Sequence, residues 1–417
     1  MKVALIIEHF DAQRGGAERF AVWLAQALVK RGVEVHVVCH DAKNRINRYR
    51  SAHQGASHDA GASARSLATE EALPAGVQVH RVKSIKLSTG MGFRMFGQRV
   101  RTWCRRHPMN VVHSISAAYA GDVYHPEAGV YIGLQEAAIA SRETRGGGVL
   151  KRFLLQLPGK ARTLLALEQR AVQSPEEGGA AKIICISEMV REEFVQHYGV
   201  SPTRLVRLDN PRVEALPDLA RVPEQRAWFR AHYGFKPGDR VAAFVGHDFR
   251  RKGLKYAIET IGRCGEPWKL LVVGLGKMRR YVELAEELGL ESRVKFVGPT
   301  REMAAVYAAS DALLFPTFYD SFGFVAMEAL SYGLPVISTR KLGCYPIVPA
   351  NCVGTIVESP RDVTAMAAAL DALPAAGPEK ESLGARARAA GVGLTEDDFV
   401  AKLLDLYKAF MLEKQGR

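Results

Sequence analysis

Along the chain, short apolar runs alternate with longer segments in which apolar residues recur every three or four positions. A run of four to eight apolar residues bounded by Gly, Pro or Asp suits a strand buried on both faces. The longer recurrence suits a helix with one apolar face. Strands are predicted at 2–8, 33–39, 77–82, 110–113, 182–186 and 204–208, then at 241–245, 269–273, 294–297, 312–315 and 335–338. Strands separated by helices pair in parallel, because each helix carries the chain back along the sheet. Two such series predict an α/β chain of two Rossmann-like, doubly wound domains in tandem.

The segment between the series, "DNPRVEALPDLARVPEQ" at 209–225, has three prolines and no apolar period, which marks a hinge. The expected division is therefore 1–209, 210–394 and a C-terminal helix over 395–417. That helix opens with Thr395 and an acidic first turn, and is expected to pack back on the N-terminal domain. Residues 41–76, rich in Ala, Ser, Gly, His and Arg, have no apolar period and read as a flexible insertion.

Composition narrows the class. The 417 residues are 47% hydrophobic and 24% charged, which is ordinary for a globular protein. Six scattered cysteines form no C-x-x-C pair, so neither a zinc site nor a disulfide framework is expected, and a reducing compartment is. The opening "MKVALIIEH" is too short an apolar stretch for a signal peptide, and no uninterrupted apolar run reaches spanning length. A cytoplasmic location is the expectation. The net charge is +13 and unevenly spread: residues 81–107 hold eight Lys or Arg and no Asp or Glu, and a second basic tract covers 142–170. Such tracts attract an anionic membrane surface or nucleic acid. No basic platform interleaved with aromatics is present, so nucleic acid is not the expected partner.

The chemistry concentrates in the second series. In an open parallel sheet, the loops leaving the carboxyl ends of the strands form the ligand crevice. The first loop, "GHDFRRKGLKY", starts at Gly246 and sets Arg251 and Lys252 before Gly253, two cations in an open crevice beside a helix N-terminus. That combination suits a diphosphate. The second loop, "VVGLGKMRR", brings Gly274 and Gly276 close to a ligand. The third stretch, "DSFGFVAMEALSYGLPV", places Asp320 in a loop and Glu328 in the helix that follows. Ser321 is expected to cap that helix, with the amides of Phe322, Gly323 and Phe324 facing an anion. Among Phe324, Val325, Met327 and Leu330, Glu328 needs polar partners, and vicinal hydroxyls would serve. No D-x-D motif occurs, so a sugar-nucleotide site here would neutralise diphosphate with Arg251, Lys252 and amides, without a metal ion or other cofactor. In the first series, Gly15 and Gly16 follow the first strand and His125 lies in "GDVYHPEAGVY".

These motifs together resemble the family 4 retaining glycosyltransferases, which have the GT-B fold of two Rossmann-like domains facing a deep cleft. "DSFGFVAMEALSYGLPV" resembles the family's E-x7-E element, "RGGAERF" its glycine pair and "RRKGL" its basic pair before a glycine. "FVGPTREMAAVYAASDALLFPTFYDSFGFVAMEA" follows the family order, and the resemblance covers nearly the whole chain. Within the family, "GHDFRRKGLKYAIE" and "YDSFGFVAMEA" are most similar to lipopolysaccharide-core glucosyltransferases.

The resemblance implies a metal-independent hexosyltransferase that takes a nucleotide-sugar donor, UDP-glucose-like, and a lipid-linked saccharide acceptor at the inner face of the cytoplasmic membrane. Arg251 and Lys252 would hold the pyrophosphate, Asp320 the sugar, and Glu328 the ribose hydroxyls. Amides of Phe322 and Gly323 would meet phosphate, as would Gly16, and Pro299 and Thr300 would lie by the base. His125 would stand on the acceptor side as a candidate catalytic group. Two departures stand out: Asp320 replaces the usual Glu, and Pro211 replaces the Gly of the family's Asn-Gly hinge turn. Two other classes stay open: a nucleotide-sugar epimerase of the same fold, which turns over donor without acceptor, and a non-enzymatic nucleic-acid-binding protein.

Overall fold

The computed structural model describes residues 1–12, 14–42, 74–85, 89–142, 146–149, 159–212 and 215–415. It forms two compact units, one of Met1–Glu127, Pro158–Ile184 and Val400–Arg417, the other of Ala128–Leu157 and Cys185–Phe399.

In the first unit, strands β1 (Lys2–Ile6), β2 (Glu34–Cys39), β3 (Val77–Arg81), β4 (Val111–Ser114), β5 (Val123–Tyr124) and β6 (Lys182–Cys185) lie parallel in the order β3-β2-β1-β4-β5-β6. Leu5 is in register with Val37 on one side and His113 on the other, and Val3–Ile6 are fully buried. A strand flanked on both sides and covered on both faces must be apolar throughout, which is why β1 reads as one run.

In the second unit, β7 (Arg240–Val245), β8 (Trp268–Val273), β9 (Val294–Gly298), β10 (Ala312–Phe315), β11 (Val336–Thr339) and β12 (Gly354–Val357) repeat the arrangement as β9-β8-β7-β10-β11-β12. The strand order reverses between β7 and β10, so the loops after these two strands diverge and leave a crevice at their carboxyl ends.

Each predicted strand is present within two residues of its expected bounds, that at 204–208 as the short Leu205–Arg207. Two further strands of these two sheets had no signal long enough to read: β5 is two residues, and β12 opens on Gly354 with Thr355 exposed. The insertion begins later than expected, because Asp41–Ala42 pairs in parallel with His9–Phe10. Residues 43–73 lie outside the described residues.

The helices that bear on function are α1 (Gly16–Lys30), α2 (Gly90–Arg106), α3 (Tyr131–Ala140), α4 (Lys160–Val172), α5 (Glu188–Tyr198), α6 (Leu254–Arg263), α7 (Met303–Ala309), α8 (Phe324–Ser331) and α9 (Glu396–Gln415). Thr395 Oγ1 accepts from the Asp398 amide at 3.1 Å, which fixes the start of α9 as its sequence indicates. From Val400 on, α9 belongs to the first unit, where Tyr407 Oη lies 2.5 Å from His113 Nδ1 and Glu413 meets Lys182 at 3.2 Å. In the 209–225 segment, Pro211 bridges to Leu394 and the Arg212 amide donates to the Leu394 carbonyl at 3.1 Å. Among the described residues no helix is long and apolar enough to cross a membrane.

Candidate functional site

The loops at the carboxyl edge of the second sheet are tied to one another. The Gly246 amide donates to the Val273 carbonyl and the Gly274 amide to the Gly298 carbonyl, each at 3.0 Å. The ends of β7, β8 and β9, with Pro299 and Thr300 just beyond, therefore form one rim. Gly253 heads α6 with φ 80°, and a side chain there would run into the Pro316 carbonyl. Only glycine lets the first loop close this tightly on the loop after β10.

That closeness fixes the two cations. The Phe318 amide donates to the Arg251 carbonyl at 2.8 Å. In return, the Tyr319 carbonyl accepts from Arg251 Nη1 at 2.7 Å and from Lys252 Nζ at 3.3 Å. Lys252 Nζ also lies 2.5 Å from Asp320 Oδ2 and 5.3 Å over the Phe315 ring. Arg251 is held from its other side by Asp248, at 3.1 Å. The sequence placed both cations in the open, and the structure corrects this for one of them. Arg251 is half-buried, whereas Lys252 is buried, its stem passing beside Gly246 before the ammonium reaches Asp320. Burial lowers the Lys252 ammonium to about 8, with Asp320 opposing the fall and Arg251 adding to it. A cation so close to losing its proton is stabilised by any anion placed beside it.

The start of the following helix is also corrected. Ser321 is not its cap. Gly323 occupies that position with φ 103°, and α8 begins at Phe324. A side chain at Gly323 would run into Leu342, which the chain brings here because the Gly343 amide donates to the Asp320 carbonyl at 2.8 Å. The Ser321 carbonyl accepts from Ser187 Oγ at 2.8 Å, and the Phe322 carbonyl accepts from the Cys344 amide at 2.7 Å. The 320–323 turn is thus fixed on both sides before any ligand arrives. With α8 starting late, Glu328 lies little more than one turn into it. Its Oε2 accepts from Tyr307 Oη of α7 at 2.7 Å, so a phenol meets the carboxylate that the apolar sequence left unexplained.

The structure thus gathers Arg251 and Lys252 on the Tyr319 carbonyl, with Lys252 in contact with Asp320 and Ser321–Phe324 continuing from it. Gly246, Gly274, Pro299 and Thr300 form the neighbouring rim. Gly15, Gly16 and His125 belong to the first unit. Gly15 caps α1 in extended backbone, and a side chain at Gly16 would meet nothing within 4 Å, so the fold does not itself require glycine at 16. His125 is fully buried, with Nδ1 3.1 Å from His113 Nε2 and Nε2 3.0 Å from Glu127 Oε1. Burial depresses its imidazole to about 3. Among the described residues no group of His, Cys, Asp or Glu is arranged to hold a metal ion.

Sequence reasoning missed Tyr307, Tyr319 and Glu193. Tyr307 sits among the small apolar residues of "MAAVYAA", Tyr319 lies in the loop "PTFYD" ahead of Asp320, and Glu193 is one acid in the unremarkable "MVREEFV". Their partners lie 21 to 189 residues away in sequence, beyond any local pattern.

Two family models match the chain: Glycosyltransferase Family 4 over residues 14–211 and Glycosyl transferases group 1 over residues 225–390. The chain belongs to the family 4 glycosyltransferases, with the GT-B fold. Among curated relatives it is 32% identical to the lipopolysaccharide glucosyltransferase WaaG of Escherichia coli (strain K12) over 215 residues, 50% of this chain and 56% of that one. It is 30% identical to the D-inositol 3-phosphate glycosyltransferase of Nocardia farcinica over 292 residues, 64% of each chain. The chain thus spans between half and two thirds of the length of these relatives. Among solved structures, that of WaaG, a glycosyltransferase involved in lipopolysaccharide biosynthesis, superposes with a TM-score of 0.75 at 22% identity, covering 97% of this chain and 99% of that chain. Anabaena HepE in complex with UDP-glucose superposes at 0.66 with 15% identity, covering 98% and 100%. These likenesses are of fold.

Proposed function

We propose that this chain is a retaining hexosyltransferase that moves a sugar from a nucleotide-sugar donor, UDP-glucose first among candidates, to a lipid-linked saccharide of the lipopolysaccharide-core kind. The observation that carries the reading is the cluster of Arg251, Lys252 and Asp320 at the carboxyl ends of β7 and β10. A diphosphate leaving group develops charge as its bond to the sugar breaks. Two cations held in place by the Tyr319 carbonyl meet that charge without reorganising.

In this reading the C1–O bond to phosphate breaks through an oxocarbenium-like state. The acceptor hydroxyl bonds to C1 on the same face, and its proton passes to the departing phosphate oxygen. No protein base is required, and His125 enters on the acceptor side as a neutral imidazole. Glu328 takes the ribose hydroxyls, Asp320 the sugar, Gly16 and the 321–324 turn the phosphates, and Pro299 and Thr300 the base. Residues 1–209 would serve the acceptor and 210–394 the donor. Arg and Lys, rather than a metal ion, supply the positive charge.

The acceptor assignment draws on the name of the Escherichia coli relative, and the Nocardia relative favours a second reading in which a phosphorylated polyol is glycosylated. Attachment to the inner face of the cytoplasmic membrane draws on α2. Its Phe93, Phe96 and Val100 are buried, while Arg94, Arg99, Arg101, Arg105 and Arg106 are exposed. Across α4, Lys160 and Arg162 extend the exposed basic surface. Incubation with UDP- and GDP-sugars, alone and with truncated lipopolysaccharide core or inositol phosphate, tests the proposal. A labelled lipid-linked product from UDP-glucose is expected. Donor isomerised without acceptor would favour an epimerase, and no turnover of any donor would overturn the reading.

A further inference from the structure

Behind the two cations lies a second layer of polar contacts. Tyr319 offers Arg251 and Lys252 its carbonyl, while its hydroxyl reaches the opposite way. That hydroxyl accepts from the Val130 amide at 3.0 Å and donates to Glu193 Oε2 at 2.7 Å. Gly129 has φ 79°, and a side chain there would strike the Tyr319 hydroxyl. Backbone of 129–130 is therefore pressed directly on the phenol. Helix α5, which carries Glu193, holds the same loop at a second point, because Ser187 caps α5 and donates to the Ser321 carbonyl at 2.8 Å. The loop that bears Asp320 is thus anchored on both sides of that residue.

We propose that Glu193 is a positioning residue for transfer: through Tyr319 it sets where the carbonyl, Arg251, Lys252 and Asp320 stand, and its ionisation tunes the rate. This rests on the donor-site reading of that cluster. Glu193 is itself nearly inaccessible, with Gly133 of α3 so close that a side chain there would meet its carboxylate at 2.8 Å. Burial raises the Glu193 carboxyl to about 7; Tyr319 and Lys341 oppose that rise, and Glu136 and Glu192 add to it. His197, also on α5, lies 3.9 Å from Glu136. An ionised Glu193 accepts a charge-assisted hydrogen bond from Tyr319, and a protonated one only a neutral bond. The difference, converted to rate, is about fivefold.

The test is kcat/KM for the donor against pH, with UDP binding measured alongside by calorimetry, on the full chain and on Glu193→Gln and Tyr319→Phe. The unaltered chain should lose about fivefold on acidification through pH 7. Glu193→Gln, which keeps the shape and an acceptor, should run at the lower level with that acid limb gone. Tyr319→Phe should lose the same limb. An acid limb retained in Glu193→Gln, or full activity in that variant at pH 7.5, with UDP still bound, overturns the positioning role alone. Failure of the unaltered chain to bind UDP overturns the donor-site reading and this inference with it.

Discussion

Lys252 Nζ stands 2.5 Å from Asp320 Oδ2, joining the loop after β7 to the loop after β10 at the point where the sheet order reverses. The pair explains why a lysine is tolerated in a buried position: its ammonium has a carbonyl and a carboxylate within reach. Because burial holds Lys252 at about 8, kcat/KM for the donor should fall as pH rises through 8 and the cation is lost. Asp320 raises that value, so Asp320→Ala should move the alkaline limb to lower pH and depress transfer. A limb left in place would show that the titrating group is not Lys252.

Arg251 and Lys252 should fail together. Loss of one preorganised electrostatic donor raises a barrier by about 3 kcal/mol, or roughly a hundredfold in rate. Arg251→Ala is the cleaner probe, since its half-exposed side chain contributes little to the core. Lys252→Met keeps the buried stem and removes only the charge. Melting temperatures close to that of the unaltered chain, with strongly reduced turnover, are expected for both. Normal turnover in the double variant would exclude the role.

How far these relationships were legible depends on their range along the chain. The strands of both sheets could be read because burial on both faces forces continuous apolar runs, as in 241–245. Arg251, Lys252, Asp320 and Glu328 could be read because each flanks such a run or breaks a helix's apolar face. What could not be read was how the groups answer one another. The start of α8 was misplaced because Gly323 takes the cap position through packing on Leu342, a tertiary constraint that overrides the capping tendency of Ser321. The burial of Lys252 is not legible locally because the groups its ammonium meets, Phe315 and Asp320, lie 63 and 68 positions later in the chain.

The exposed face of α2 should bind anionic lipid, each Lys or Arg near the surface contributing about 1 kcal/mol. Replacing Arg99, Arg101 and Arg105 with Glu reverses the charge without disturbing Phe93, Phe96 and Val100 beneath. Vesicle sedimentation should show binding that rises with phosphatidylglycerol and weakens with salt, and that the triple variant has lost. Equal binding to neutral vesicles would exclude an electrostatic attachment.

Asp320 and Glu328 should fail in different ways, because their surroundings differ. Asp320 is engaged with Lys252, beside the position proposed for the breaking bond. Glu328 lies on α8, where its carboxylate accepts from Tyr307. If Glu328 takes ribose hydroxyls, its partner belongs to the nucleotide, and Glu328→Ala should weaken binding of free UDP. A hydrogen bond to a charged group is worth about 1.5–3 kcal/mol, so the loss should reach tenfold or more. Tyr307→Phe leaves the carboxylate in place but removes the donor that aims it, so a smaller loss in the same direction is expected. Asp320→Ala should leave UDP affinity nearly intact at pH 6, where Lys252 is still charged, while transfer falls. Calorimetry with UDP, set beside transfer rates with the intact donor, separates the three variants. Loss of UDP affinity in Asp320→Ala, with affinity retained in Glu328→Ala, would show that the two carboxylates serve opposite ends of the donor from those assigned.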